Sequence, residues 1–153
     1  MIIIGYQGIG KSTLADEDMN YIDLESTCFW IDGERDEYWY RPYCKIAEYL
    51  SKQGYRVFVS SHADVRRTLK EDDCGEQIVC CVPALHLKDQ WIERLKTRYE
   101  SDPMKNEKNY KAYMNALDRY EDNVKEIAAS GFPVVTLDSM EYDLDEQIRR
   151  QYE

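Results

Sequence analysis

Residues 5 to 12 read Gly5-Tyr6-Gln7-Gly8-Ile9-Gly10-Lys11-Ser12, the pattern Gly-x-x-x-x-Gly-Lys-Ser/Thr. This spacing suits the phosphates of a nucleoside triphosphate. Glycines let the backbone wrap closely round phosphate oxygens while successive N–H groups point inward. The lysine reaches the outer phosphates, and the serine hydroxyl ligates the magnesium that neutralises them. Gly5, Gly8, Ile9, Gly10, Lys11, Ser12 and Thr13 are the expected nucleotide-binding residues, with Ser12 as a magnesium ligand.

Further along stand groups that could act on bound phosphate. Asp23-Leu24-Glu25 carries two carboxylates, two residues apart, at a strand end. Arg94 and Arg98 lie four apart, on one face of a helix, where they could clamp phosphates or pair with Glu93 and Asp102 in solvent. Arg66 and Arg67 follow Ser60-Ser61-His62. Phe29, Trp30, Tyr38, Trp39 and Tyr40 crowd one segment with Arg35 and Arg41. Trp30 and Tyr38 are candidates to stack a base, whereas Trp39 and Tyr43 fit a helix packed on a sheet.

These residues need elements to position them. Apolar runs at Ile2–Ile4, Tyr21–Leu24, Tyr55–Val59, Gln77–Val82 and Pro133–Leu137 predict five short strands. Between them Trp39, Tyr43, Ile46, Ala47 and Leu50 mark a helix ending near Gly54. Trp91, Ile92, Leu95 and Tyr99 mark a second over Leu87–Tyr99. A third is predicted over Glu107–Ala129, with Tyr110, Tyr113, Met114, Leu117, Tyr120, Val124 and Ile127 as its apolar stripe. The polar stretch Ser101–Lys108, with Pro103, reads as a mobile loop. Alternating strands and helices with nearly all-apolar strands predict an α/β fold whose parallel sheet is covered on both faces.

A length of 153 residues predicts one domain, 1–153, and a composition of 43% hydrophobic and 33% charged residues is globular. The net charge of −10 disfavours extended contact with nucleic acid and favours a small-molecule partner. Five cysteines without a CxxC pair predict buried or idle thiols in a reducing, cytoplasmic setting, not a disulfide framework or a zinc site. The N-terminal residues have neither the basic start of a signal peptide nor the length of a membrane span.

The Gly5–Ser12 loop, the Asp23-Leu24-Glu25 tripeptide, the arginines after the fourth strand and the chain length together resemble the P-loop kinases of small molecules. That group includes nucleoside monophosphate kinases, deoxynucleoside kinases and shikimate kinase. The resemblance implies a three-layer P-loop NTPase fold with a five-stranded parallel sheet and a helical lid, here around residues 94–110. It also implies ATP with Mg2+ as donor and a substrate pocket beyond the carboxyl ends of the strands. Carried onto this chain, it implies that Lys11 and Ser12 position ATP and metal, and that Asp23 holds magnesium or takes the acceptor's proton. Glu25, Trp30, Tyr38 and Arg66 would contact the acceptor, and Arg94 and Arg98 would close as catalytic lid residues. Ser60 and Ser61 stand where many such kinases have a magnesium-organising acid, a departure that leaves the role to Asp23. The expected activity is phosphoryl transfer to a small acceptor, with a nucleoside monophosphate or deoxynucleotide first. A regulatory or interaction NTPase without an acceptor is the alternative.

Overall fold

Ile2, Ile3 and Ile4 expose none of their surface, because the strand they form has a parallel neighbour on each side and helices packed against the sheet. The computed structural model describes residues 1–32 and 34–152. In chain order the elements are β1 (Ile2–Gly5), α1 (Lys11–Glu17), β2 (Tyr21–Asp23), β3 (Trp30–Ile31), β4 (Glu34–Arg35) and α2 (Tyr40–Lys52). β5 (Arg56–Val59), α3 (Ala63–Asp72), β6 (Ile78–Pro83), α4 (Lys88–Ser101), α5 (Glu107–Ala128), β7 (Val134–Leu137) and α6 (Leu144–Tyr152) follow.

The five strands predicted from the sequence form one parallel sheet in the order β2-β5-β1-β6-β7. Crossovers in parallel sheets are right-handed, so the leftward step from β1 to β2 and the rightward step from β5 to β6 put their helices on opposite faces. α2 packs on α3, as two successive rightward crossovers require, and α6 reaches the β2 side of the sheet, where Tyr21 donates to Asp145 at 2.6 Å. The result is an α/β fold, a five-stranded parallel sheet flanked by helices. β1 and β6 are adjacent, yet the chain leaves their carboxyl ends toward opposite faces, which opens a crevice there.

Two apolar stripes are placed differently from expectation. In α2, Tyr43 and Ala47 are fully buried, but Ile46 is exposed and Cys44, Glu48 and Ser51 take the inward positions. In α5 the inward face is Ala112, Ala116, Tyr120, Val124 and Ile127, while Tyr110 and Leu117 are exposed. α5 leaves helical geometry at Arg119 (φ −141°, ψ 24°). Before that break, the two alanines allow close approach to the sheet. The connection between α4 and α5 is shorter than expected. It is closed by Asp102, whose carboxylate accepts from the backbone N–H groups of Met104 and Asn106 at 3.0 and 2.9 Å.

The antiparallel pair β3–β4, α3 and α6 were not foreseen as particular elements; β3 and β4 have two residues each, below the length at which alternation can be read. All five cysteines are free, with Cys44, Cys80 and Cys81 buried. Among the described residues no helix is long and apolar enough to cross a membrane.

Phe58 on β5 is fully buried and stacks on Tyr21 at 5.4 Å, so Phe58→Ala should cost about 3–5 kcal/mol in urea unfolding. Ile31→Ala, at a side chain 74% exposed, should stay within about 0.5 kcal/mol of the parent protein.

Candidate functional site

At the carboxyl ends of β1, β2 and β5 lies a cavity of about 440 Å³. That volume falls in the range of small-molecule sites, roughly 300–1,000 Å³. Its floor is the Gly5–Ser12 loop. β1 delivers the loop to the β1/β6 crevice, where the Tyr6 N–H donates to Cys81 O at 3.0 Å. Gly10 then caps α1 in the left-handed region (φ 102°), a conformation that a side chain would strain. Lys11 folds back over the loop, donating to Gly5 O at 3.3 Å. α1 has seven residues, so the loop and not a long helix dipole must supply the attraction for an anion.

β2 stops at Asp23, and Asp23 and Glu25 both line the cavity. They differ electrically. Burial, with Glu25 close by, raises the pKa of Asp23. Burial also works on Glu25, but the hydrogen bond and charge of Lys108, which reaches both carboxylate oxygens, hold it below its usual value. Asp23 therefore holds a proton more readily than its neighbour. Burial lowers the pKa of Lys11, as do Lys108 and Arg98, while Asp23 and Glu25 oppose the shift.

The far wall carries a second polar group. Arg35 Nη1 donates to Ser26 Oγ at 3.0 Å, and its guanidinium carbon lies 4.3 Å from the Trp39 ring centroid and 5.7 Å from that of Trp30. Arg35 Nη2 lies 3.3 Å from His62 Nε2, and His62 Nδ1 lies 2.7 Å from Ser60 Oγ. A guanidinium can only donate, so His62 Nε2 accepts and Nδ1 carries the proton toward Ser60. Burial and then the Arg35 charge push the His62 pKa down to about 4, which keeps the ring neutral.

Of the residues singled out from the sequence, the cavity gathers Gly5, Gly8, Gly10, Lys11, Ser12, Thr13, Asp23, Glu25, Trp30, Arg94 and Arg98. Tyr38 and Arg66 are outside it. Tyr38 is 50% exposed, with Arg41 over its ring at 4.9 Å. Arg66 spends its guanidinium on Ser61 O and Glu126 O, both at 3.1 Å, tying the start of α3 to the end of α5. The Ile9 side chain is buried in the core. Arg94 is not a free lid arginine. It bonds Gly8 O, Met140 O and the Tyr142 hydroxyl, so its charge is committed to the loop's support.

Sequence reasoning missed Lys108, Lys111 and Asn115, which α5 turns toward the cavity. Their spacing of three and four is a polar stripe that the tyrosine-rich pattern concealed. It also passed over Gln7, whose buried Oε1 has no hydrogen-bond partner among the described residues. That orphaned acceptor, the folded-back Lys11 and the surrounding cations fit a phosphate ligand carrying its own metal. Among the described residues no cluster of three metal-binding side chains stands ready, so Ser12 and Asp23 would need phosphate oxygens to complete a magnesium shell. No protein-family model matches the chain, and no curated protein matches it.

Removing the Asp23 charge should stabilise the protein. At pH 7 Asp23→Asn should melt higher than the parent, and the gap should close as pH falls through the raised Asp23 pKa, where the parent is neutral as well. Glu25→Gln should melt lower at pH 7, because a carboxylate with a depressed pKa stabilises the fold above its unfolded value and loses that contribution as pH falls. Calorimetry across pH 3–8 reads both signs. Equal melting temperatures for the parent and Asp23→Asn would contradict the assignment.

Proposed function

We propose that this chain is an ATP-dependent phosphotransferase of the P-loop kinase type, acting on a small acceptor that itself bears phosphate. The observation that carries this reading is charge. In a chain of net charge −10, the described residues line one cavity with Lys11, Arg35, Arg98, Lys108 and Lys111, besides the committed Arg94, against the two carboxylates Asp23 and Glu25. Cations crowded together repel one another, and a polyphosphate offsets that cost.

The glycine loop, read as a Walker A motif, wraps the donor's outer phosphates with its N–H groups, and Lys11 leaves Gly5 O to meet them. Magnesium, held by Ser12 and Asp23 with the phosphates, would neutralise charge on the transferred group. Arg98, on the exposed side of α4, and Lys111 face the same space and supply positive charge as the phosphoryl group moves. The α4–α5 hairpin that carries them acts as the lid.

Arg35 favours a phosphate-bearing acceptor over a protein that merely binds nucleotide. Among the described residues it has no carboxylate partner, although the chain holds 30 acidic residues. Seated against Trp39 and Trp30 at the far wall, it offers a second anion position apart from the loop. A nucleoside monophosphate or deoxynucleotide suits that pair of positions, with the Trp30 ring beside the base.

The test is ADP formation from Mg-ATP against a panel of nucleoside monophosphates, deoxynucleotides, nucleosides and shikimate. A nucleotide acceptor should raise the rate, Lys11→Ala should lower it by about 10²-fold or more, and Arg35→Met should raise the acceptor KM more than the ATP KM. The rate should fall as pH drops through the Asp23 pKa, because a carboxylate must be ionised to hold the metal. Slow ATP hydrolysis indifferent to every acceptor would instead support a regulatory NTPase.

A further inference from the structure

Three successive carbonyl groups of the glycine loop are each bonded by a side chain from elsewhere in the chain. Trp91 Nε1 donates to Gln7 O at 2.8 Å, Arg94 Nη1 to Gly8 O at 3.2 Å, and the Tyr142 hydroxyl to Ile9 O at 2.9 Å. The three donors form a single unit. Arg94 also donates to the Tyr142 hydroxyl at 2.8 Å and to Met140 O at 3.1 Å. Its guanidinium carbon is 4.5 Å from the Trp91 ring centroid and 5.6 Å from that of Tyr142, and the two rings lie within 11° of parallel. Trp91 is wholly buried, so this support belongs to the core and is not a surface contact.

The geometry has a direct consequence for the other side of the loop. In a trans peptide the C=O and the following N–H point in opposite directions. Fixing the carbonyls of Gln7, Gly8 and Ile9 on the α4 side therefore turns the N–H groups of Gly8, Ile9 and Gly10 away from it. Glycine-rich backbone would otherwise sample many conformations, and each binding event would have to order it again. Gly8 (φ 82°) also lies tight against α4, since a Cβ there would lie 3.0 Å from Leu95 Cδ2 and 3.3 Å from Trp91 Nε1. The α4 helix thus sits directly on the loop, and the segment after β7 closes over the same place.

We propose that Trp91, Arg94 and Tyr142 are positioning residues that preset the loop's N–H groups for phosphate, and that they couple nucleotide affinity to the docking of residues 140–142 on α4. The proposal rests on the reading of this loop as the phosphate-binding element. None of the three needs to touch the transferred group; they act through the backbone of residues 7–9. The coupling also runs in reverse, so a bound triphosphate should tighten the contact between α4 and the Tyr142 segment.

The experiment compares the full chain with Tyr142→Phe and Arg94→Met, using Mg-ATP and inorganic tripolyphosphate with magnesium as separate probes. Tyr142→Phe keeps the ring and removes only the hydroxyl. Each variant should weaken both probes about tenfold, because the lost order is in the phosphate loop and not in base recognition. The acceptor KM should change little. The amide resonances of Gly8, Ile9 and Gly10 should broaden or shift in the free variants, a change that general loss of stability would not confine to those residues. A parent protein that binds both probes, with variants of unchanged affinity and unchanged loop amides, would overturn the positioning role while leaving the phosphate-binding reading intact. A parent that binds neither probe would remove that reading and this inference with it.

Discussion

β1 is paired on both sides, Ile2–Ile4 with Val57–Val59 and Ile2–Gly5 with Ile78–Cys81, and its three isoleucines are sealed from solvent. Every part of the cavity depends on that strand. It ends at Gly5, where the chain must leave the sheet, and the reversal of crossover direction between β1 and β6 makes the exit point a crevice. β5, registered against it, and β2, registered against β5, bring Ser60 and Asp23 to the same edge. β6 leads into α4, which returns over the loop with Trp91 and Leu95 buried beneath it. A shift in the register of β1 would misplace the glycine loop and the residues facing it together.

The cavity concentrates charge that the rest of the molecule does not share. Lys11 is desolvated, Asp23 is held toward its neutral form, and His62 is kept neutral between Arg35 and Ser60. The burial of Lys11 and of Asp23 costs stability in the free protein, and under the proposed function a phosphate with its metal would offset it. Ligand binding and folding stability are therefore linked, and a bound polyphosphate should stabilise the fold by mass action. Lys108 and Glu25 neutralise each other across the cavity mouth from α5 and the segment after β2, so that pair also joins the hairpin to the sheet.

The five-stranded sheet was legible in the sequence because its strands are buried on both faces and read as continuous apolar runs. The Gly5–Ser12 loop stood out because the phosphate binding proposed for it demands glycine, lysine and serine at set intervals. What escaped was long-range. Tyr142 lies 133 residues from Ile9, and no local pattern reveals that its hydroxyl meets that carbonyl. Arg94 looked like a lid residue by spacing, since spacing does not show that Met140 and Tyr142 already occupy its donors. Tyr38 and Arg66 were chosen by type and position along the chain. Solvent exposure in one case and backbone carbonyl partners in the other set them apart from the cavity. The stripe of α5 misled because the small Ala112 and Ala116 face inward where the larger Tyr110 and Leu117 were expected, a choice that hydrophobicity alone does not reveal.

The central claim is that the Gly5–Ser12 loop holds a magnesium-bound triphosphate. A crystal structure of the chain with magnesium and a non-hydrolysable ATP analogue tests it most directly. The account predicts the phosphates within the loop, Lys11 Nζ moved from Gly5 O to a phosphate oxygen, and the N–H groups of Gly8, Ile9 and Gly10 directed at the ligand. An analogue bound elsewhere, or a loop that keeps Lys11 on Gly5 O with no phosphate beside it at saturating ligand, would contradict it.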